Sequence, residues 1–383
     1  MVAAEASGPH RFLFISNGHG EDAIAAAIVN RMPAGTSVEA YPMIGAGNAY
    51  TGQCRIVGPR ATLASEGWRN VKGSLRRDIA TGGLATVPPA LQFLRKVRGK
   101  YDRVVVVGDM VGVLASYFTG HRDLFYLDVY KTGAARLYSA AERWTIKQAC
   151  RTVFCRADSL AESLISIGVD ARSAGNVMMD AIPYGDYDAQ SRRTRPLAVT
   201  LLPGSRALTA ESFALQVEAL RLLTPELRPD IFLAVAGSVN VDELARQTGL
   251  KRTSMLSVEP ADLGELSDGQ LTIHMARGNA MGNLLAASDL VLSQAGTATV
   301  QALGLGRPAI TFVNPRDRRS RFRDEQQLFG EARTVVTAEA PAIATALRTL
   351  LGDDEERRRL ANIGRQRIGG PGAMQAIIDA LTV

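Results

Sequence analysis

The chain's 383 residues exceed the length of one ordinary domain, and 46% apolar and 21% charged residues make a globular composition rather than a disordered one. Its three cysteines, Cys54, Cys150 and Cys155, are too few for a disulfide framework and lack the clustered His or second Cys pair that zinc needs, so they read as small buried hydrophobes in a reducing compartment. No apolar run approaches the ~18 residues of a membrane span, the N-terminal residues lack a signal peptide's apolar core, and the net charge of +6 favours anionic partners such as nucleotides, phospholipid or nucleic acid.

The first predicted strand, Arg11–Ser16, runs into Asn17-Gly18-His19-Gly20-Glu21-Asp22 and then a helical pattern over Ala23–Arg31. The turn fits G-x-G-x-x-A, a form of the dinucleotide fingerprint, and it also puts a His and two acids at the mouth of a strand-to-helix turn. Further strands are expected at Ser37–Met43, Arg103–Gly108, Leu124–Val129 and Thr152–Cys155, with helical spacing over Ala134–Gln148. Val104 to Val107 is apolar throughout, as suits a parallel strand buried on both faces. A polar stretch, residues 184–196, interrupts the alternation, which restarts at Leu197 with LAVTLLPGS, IFLAVAG, LTIHMARG, DLVLSQAG and PAITFV. Each of these reads as a strand running into a turn. The pattern predicts an α/β chain of two similar parallel-sheet domains, residues 1–190 and 191–365. A final helix within 366–383 follows a Gly/Pro break and is expected to pack back across the junction.

Residues 293–310, SQAGTATVQALGLGRPAI, carry the sharpest chemistry. A strand ends in Gln294-Ala295-Gly296-Thr297, and a helix begins near Ala298. Gly296 lets a ligand approach the backbone. Thr297 and Thr299 lie beside first-turn N–H groups that a helix leaves unpaired, an arrangement that favours an anion. The other reading makes Thr297 a simple N-cap. A second turn, LLPGSR, offers Gly204 and Ser205 for a tight bend and Arg206 for two hydrogen bonds to a phosphate. Two such strand ends in one domain predict a diphosphate cradle. The absence of G-x-x-x-x-G-K argues against ATP or GTP hydrolysis.

LPGSR, GTAT followed by LG-x-GRP-x-I, and GNVMMD at 175–180 resemble the two-domain GT-B glycosyltransferases, in particular the lipid-A-disaccharide synthase-related proteins, over Phe12 to Ala373. The resemblance implies two Rossmann-like domains facing a cleft, the first for an acceptor and the second for a nucleotide-diphospho-sugar. It implies that Gly204, Ser205 and Arg206 flank the diphosphate and that the turn of Gln294, Gly296, Thr297, Ala298 and Thr299 presents N–H groups to it. It further implies that the segment of Ile273, Met275 and Gly278 lies near the base. Glu325 and Gln326 would bind ribose or sugar hydroxyls, although Glu325 also reads as a solvated helix face.

An inverting transfer needs a base for the acceptor hydroxyl and a way to hold the departing diphosphate. Helix ends and Arg206 can neutralise the leaving group, so neither a metal nor a cofactor is expected. His19, whose imidazole titrates near neutral pH, Asp109 at the end of VVVVGD, and Asp22 are the candidate bases. In the family resembled, an acidic D-x-P-D-F loop lies at a place comparable to Asp109, where this chain has Met110-Val111-Gly112 instead. Asn17, Gly18, Gly20, Asp128 and Lys131 are expected on the acceptor side.

Between Arg60 and Lys100 nine Lys or Arg face two acids, and residues 84–100 combine Leu84, Val87, Leu91, Leu94 and Val97 with Arg95, Lys96, Arg98 and Lys100. Such a basic amphipathic stretch suits an anionic membrane surface, or else forms an ordinary domain helix with a solvated basic edge. A second basic run, residues 316–323, is expected near the donor. Basic residues are not interleaved with an aromatic platform, so nucleic acid is not expected as a partner. Together these residues predict a cytoplasmic enzyme, peripheral on the inner face of the membrane, that moves a sugar from UDP-GlcNAc or a related UDP-hexose to a lipid or lipid-linked acceptor. The alternatives are a UDP-sugar epimerase of the same fold, an NAD-type oxidoreductase with Glu39 as its ribose acid, and a non-catalytic binding protein. Against the oxidoreductase, Glu21 and Asp22 would put like charge where pyrophosphate should bind.

Overall fold

Phe12, Leu13, Phe14 and Ile15 are all buried, because the strand they form, β1 (Arg11–Ser16), is covered on both faces. In the computed structural model, which describes residues 10–61, 83–204, 208–237, 239–253, 259–313 and 319–382 apart from the side chains of residues 19, 83, 84 and 319–321, the chain forms two units. These are Met1–Ala181 with Pro371–Val383, and Ile182–Gly370.

In the first unit β1 pairs in parallel with β2 (Ser37–Pro42) on one side and β4 (Arg103–Gly108) on the other. β2 continues to β3 (Arg55–Ile56), and β4 to β5 (Leu124–Asp128), β6 (Cys150–Phe154) and β7 (Asp170–Arg172). The resulting parallel order is β3-β2-β1-β4-β5-β6-β7. Period-two alternation splits each strand between two cores. Leu13, Ile15, Val104 and Val106 meet Leu94, Val113 and Ile146 on one face. Phe12, Phe14, Val105 and Val107 meet Ile24, Ile28, Ile377 and Leu381 on the other. The helix Ala373–Thr382 is therefore core material of the first unit. Asp180, the last residue of GNVMMD, anchors it by accepting from the N–H groups of Gly372 and Met374 at 2.8 and 3.1 Å.

The second unit repeats the scheme. β8 (Ala198–Leu202) lies between β9 (Asp230–Val235) and β13 (Leu290–Ser293), with β14 (Ala309–Val313) and β15 (Arg333–Thr337) beyond β13, all parallel. β12 (Thr272–Arg277) pairs parallel with β9. β11 (Asp262–Ser267) and β10 (Lys251–Thr253) add an antiparallel edge that the expectation of parallel sheets did not include. The cause is the Asp268-Gly269 turn, where Asp268 Oδ1 accepts from the N–H groups of Gln270 and Leu271, both at 2.9 Å, and reverses the chain within a hairpin.

One helix begins later than its spacing predicts. The stretch expected from Ala134 starts at Ala140, after Ser139 and Glu142 form a reciprocal capping box. Residues 129–139 are instead a loop held by Asp128, which shapes the rim described below.

Ile377 tests the placement of the C-terminal helix. Ile377→Ala should destabilise the first unit by about 2–5 kcal/mol. Hydrogen exchange should then accelerate at β1 and β4 amides while β8 and β13 amides keep their protection.

Candidate functional site

In each sheet the connections reverse direction beside one strand, and such a switch point opens a crevice outside the strand ends. In the first unit it lies between β1 and β4. The β1 end carries Asn17-Gly18-His19, and the β4 end carries Gly108-Asp109. A hydrogen bond joins them, with Asn17 Nδ2 donating to Asp109 Oδ1 at 2.6 Å. The same oxygen accepts from Val111 N–H at 2.8 Å, so Asp109 also caps the helix Met110–Phe118. Asn17 Oδ1 is buried and has no hydrogen-bond partner among the described residues. Gly108 makes this closeness possible, since its φ is +142° and a Cβ there would sit 2.1 Å from Asn17 Oδ1.

The helix His19–Val29 starts at Gly18 without a side-chain cap, and Glu21 and Asp22 occupy its first turn. Asp22 is only 1% exposed and is turned into the unit, where Ser16 Oγ donates to it at 2.6 Å while also bonding Tyr50 Oη at 2.7 Å. Its visible role is to fasten the end of β1. Gly18 packs against Glu21, whereas Gly20 is exposed and has open space around it. The His19 backbone lies in the first helical turn, and its side chain lies outside the described residues.

Asp128 ends β5 on the same rim and is 1% exposed. It accepts from Tyr138 Oη and from the N–H groups of Tyr130 and Lys131, both at 2.9 Å, and so folds the loop 129–139 back on itself. Burial pushes its carboxyl above the usual carboxylate range, against the opposing pull of those hydrogen bonds. Lys131 is also turned inward, donating to Leu137 O and Glu142 at 2.9 Å each. Cys155 lies beside Tyr138, and burial raises the Cys150 and Cys155 thiols to about 12, which leaves them unreactive near neutral pH.

In the second unit the switch point lies between β8 and β13, and it brings the two predicted phosphate turns together. A Cβ on Gly204, whose φ is +102°, would lie 3.9 Å from Gln294 O, and Gln294 N–H donates to Leu202 O at 2.8 Å. Ser205 and Arg206 lie outside the described residues. The helix Thr297–Gly304 begins after Gly296 with no side-chain cap. Thr297 is therefore its first residue rather than its cap, and among the described residues no side chain caps the first turn. Thr299 is buried, bonding Ser293 Oγ at 2.6 Å and Ala295 O, so it braces the turn. Gln294 Nε2 donates to Phe312 O at 2.9 Å and ties the turn to β14. What remains presented to a ligand is backbone from Gly296 through Ala298.

Other predicted residues sit differently. Ile273 and Met275 are fully buried in the core, and Gly278, with φ +68°, marks the end of β12. Glu325 and Gln326 are held by Arg333: its Nη1 meets Glu325 at 2.8 Å and its Nε meets Gln326 Oε1 at 3.0 Å. Arg333 is itself buried between the Phe322 and Phe329 rings. That anchor lies eight residues beyond Glu325, where a sequence shows only one more Arg. Glu39 is not at the end of its strand: β2 runs on to Pro42, and Glu39 pairs with Arg55 at 3.3 Å and accepts from Tyr101. This removes the ribose acid that a dinucleotide reading requires. The sequence also holds one Asp-x-Asp string, Asp186-Tyr187-Asp188, in which Asp188 accepts from Ser191 N–H at 3.0 Å as a turn and Tyr187 is buried. No group of three or more His, Cys, Asp or Glu among the described residues is placed to hold a metal ion.

The apolar side of the helix Val87–Val97 is covered by its own unit. Leu94 and Val97 are buried in the core, and Phe93 packs on Tyr41 with ring centroids 4.7 Å apart. Val87, Pro88, Pro89, Gln92, Arg95 and Lys96 are the exposed residues of this helix, so Leu94 and Val97 of the expected apolar stripe are not free. No helix among the described residues is long and apolar enough to cross a membrane.

No family model matches the chain, and no curated protein matches it. Solved structures do. MurG of Acinetobacter baumannii superposes with a TM-score of 0.57 at 14% identity, over 98% of this chain and 99% of that one. UDP-GlcNAc 2-epimerase from Neisseria meningitidis, bound to UDP-GlcNAc, gives 0.54 at 14% over 97% and 99%. The glycosyltransferase SnogD from Streptomyces nogalater gives 0.55 at 18% over 97% and 99%. At these identities the likeness establishes the fold, which is GT-B: two Rossmann-like α/β domains.

The raised Asp128 carboxyl predicts a signed pH effect. The unfolded chain titrates near the ordinary 3.8 and the folded chain higher. Between those values the folded state holds more protons, so stability falls as pH rises through the window. In urea unfolding across pH, Asp128→Asn should lose this decline, and a wild-type minus variant difference that stays flat with pH contradicts it.

Proposed function

We propose that this chain is an inverting glycosyltransferase that takes a hexose from UDP-GlcNAc or a related UDP-sugar and passes it to a lipid or lipid-linked acceptor. The observation that carries the reading is the uncapped start of the helix Thr297–Gly304 beside Gly204, at the strand-order reversal of the second unit. First-turn N–H groups that no described side chain caps, and the positive end of the helix dipole, suit a diphosphate. Ser205 and Arg206 would complete the cradle, with Arg206 offsetting the charge that grows as UDP departs.

Asp109 is the base we favour. Its Oδ1 is held by Asn17 and by Val111 N–H, which fixes the carboxylate and leaves Oδ2 to take the acceptor's proton. The freed oxygen attacks the anomeric carbon from the side opposite the diphosphate. The bond from that carbon to the diphosphate oxygen breaks, and UDP leaves with its electron pair. His19 is the second candidate, and Asp22 serves by holding the end of β1. LPGSR, GTAT and GNVMMD support a lipid-A-disaccharide synthase-related enzyme, and with it a place on the inner face of the cytoplasmic membrane. The likeness to a UDP-GlcNAc 2-epimerase supports one rival, a UDP-sugar epimerase of the same fold.

Incubation with a panel of UDP-sugars and a lipid extract tests the choice. Acceptor-dependent UDP release with labelled lipid supports transfer, whereas a C2-inverted sugar formed without acceptor supports epimerisation. Asp109→Asn should lower turnover by about 10²–10⁴-fold with UDP affinity unchanged. Full turnover in that variant alongside an inactive His19→Ala moves the base to His19. Thr297→Pro removes one first-turn N–H at the helix's first position, where proline is tolerated. UDP binding, followed by calorimetry, should weaken about tenfold or more.

A further inference from the structure

We infer that the first unit docks on an anionic lipid bilayer through an aromatic ridge at the end of the helix Met110–Phe118. Phe118 is 68% exposed, and Trp144, on the adjoining helix Ala140–Ala149, is 55% exposed. Both rings pack on Tyr117, at centroid distances of 5.7 and 5.9 Å, so they form one continuous cluster. Leaving two large rings in water is unfavourable, and a contiguous apolar patch marks an interaction surface.

The charges around the ridge choose the partner. The Arg122 guanidinium lies 4.2 Å over the Tyr117 ring. Arg98 lies against Gly120, where an added Cβ would come within 2.7 Å of its Nη1. Lys147 follows Trp144 by one helical turn on the same face. Asp123 is the one acid within the segment 117–123, and it stands against Arg98, Arg122 and Lys147. The neighbouring helix Val87–Val97 adds Arg95 and Lys96 on its exposed edge. Aromatic side chains ringed by Arg and Lys fit the headgroup level of a bilayer carrying negative lipids, where rings insert and cations meet phosphate. Ring orientation separates this from nucleic-acid binding. Phe118 and Trp144 stand at 68° and 77° to Tyr117, which makes a ridge that wedges and not the flat platform on which bases stack. The ridge uses none of the residues proposed for sugar transfer, so each can fail without the other.

Cosedimentation of the full chain with phospholipid vesicles tests it. The chain should bind vesicles of equimolar phosphatidylcholine and phosphatidylglycerol, bind phosphatidylcholine alone much less, and release at high salt. Phe118→Ser with Trp144→Ser, and separately Lys96→Glu with Lys147→Glu, should each weaken binding by about tenfold or more, with thermal melting unchanged. The inference is overturned if the chain ignores both vesicle types, or if the two double variants bind like the parent. It is equally overturned if velocity sedimentation without lipid shows a dimer that the aromatic variant abolishes, or if single-stranded RNA takes the ridge in place of vesicles.

Discussion

The reversal of strand order beside β1 and beside β8 is the constraint on which the rest depends. Parallel strands put all their carboxyl ends on one rim, and the connections that leave adjacent strands there go to opposite faces of the sheet. Helix starts are thereby separated at one place in each unit, and the crevice between them is lined by strand ends. Asn17 with Asp109, and Gly204 with Gln294, meet for this reason although each pair lies roughly ninety residues apart.

The two rims solve the same geometric problem with different chemistry. In the first unit side chains fill the crevice: an amide holds a carboxylate, a buried Asp holds the strand end, and another buried Asp holds the adjoining loop. In the second unit glycines and an uncapped helix leave backbone N–H groups as the exposed chemistry, while Thr299 and Gln294 turn inward to brace them. That rim attracts an anion. Displacing a diphosphate by a hydroxyl demands a proton acceptor and an anion holder, the roles proposed above for Asp109 and for the backbone of Gly296 to Ala298.

The strands that build these rims were readable because burial on both faces leaves an apolar run with no alternation, as in β1 and β4. The two turns at Gly204 and Gly296 are legible as tight bends because glycine punctuates a strand end. What escaped reading depends on partners distant in sequence. Asp22 looks like a free acid until Ser16 and Tyr50 close on it. Glu325 and Gln326 look available until Arg333 folds back under them. The helix Val87–Val97 looks like a membrane face because its apolar stripe is indistinguishable, by spacing alone, from one that packs on its own sheet. The Asp268-Gly269 hairpin was signalled by its dipeptide, and the stronger α/β alternation around it obscured that signal.

Amide hydrogen exchange with and without UDP tests the central claim most directly, because it reports on the backbone groups said to hold the diphosphate. UDP should slow exchange at residues 296–299 and leave residues 17–22 unchanged. Protection of residues 17–22 with no change at 296–299 would return the anion site to the first unit and contradict the assignment.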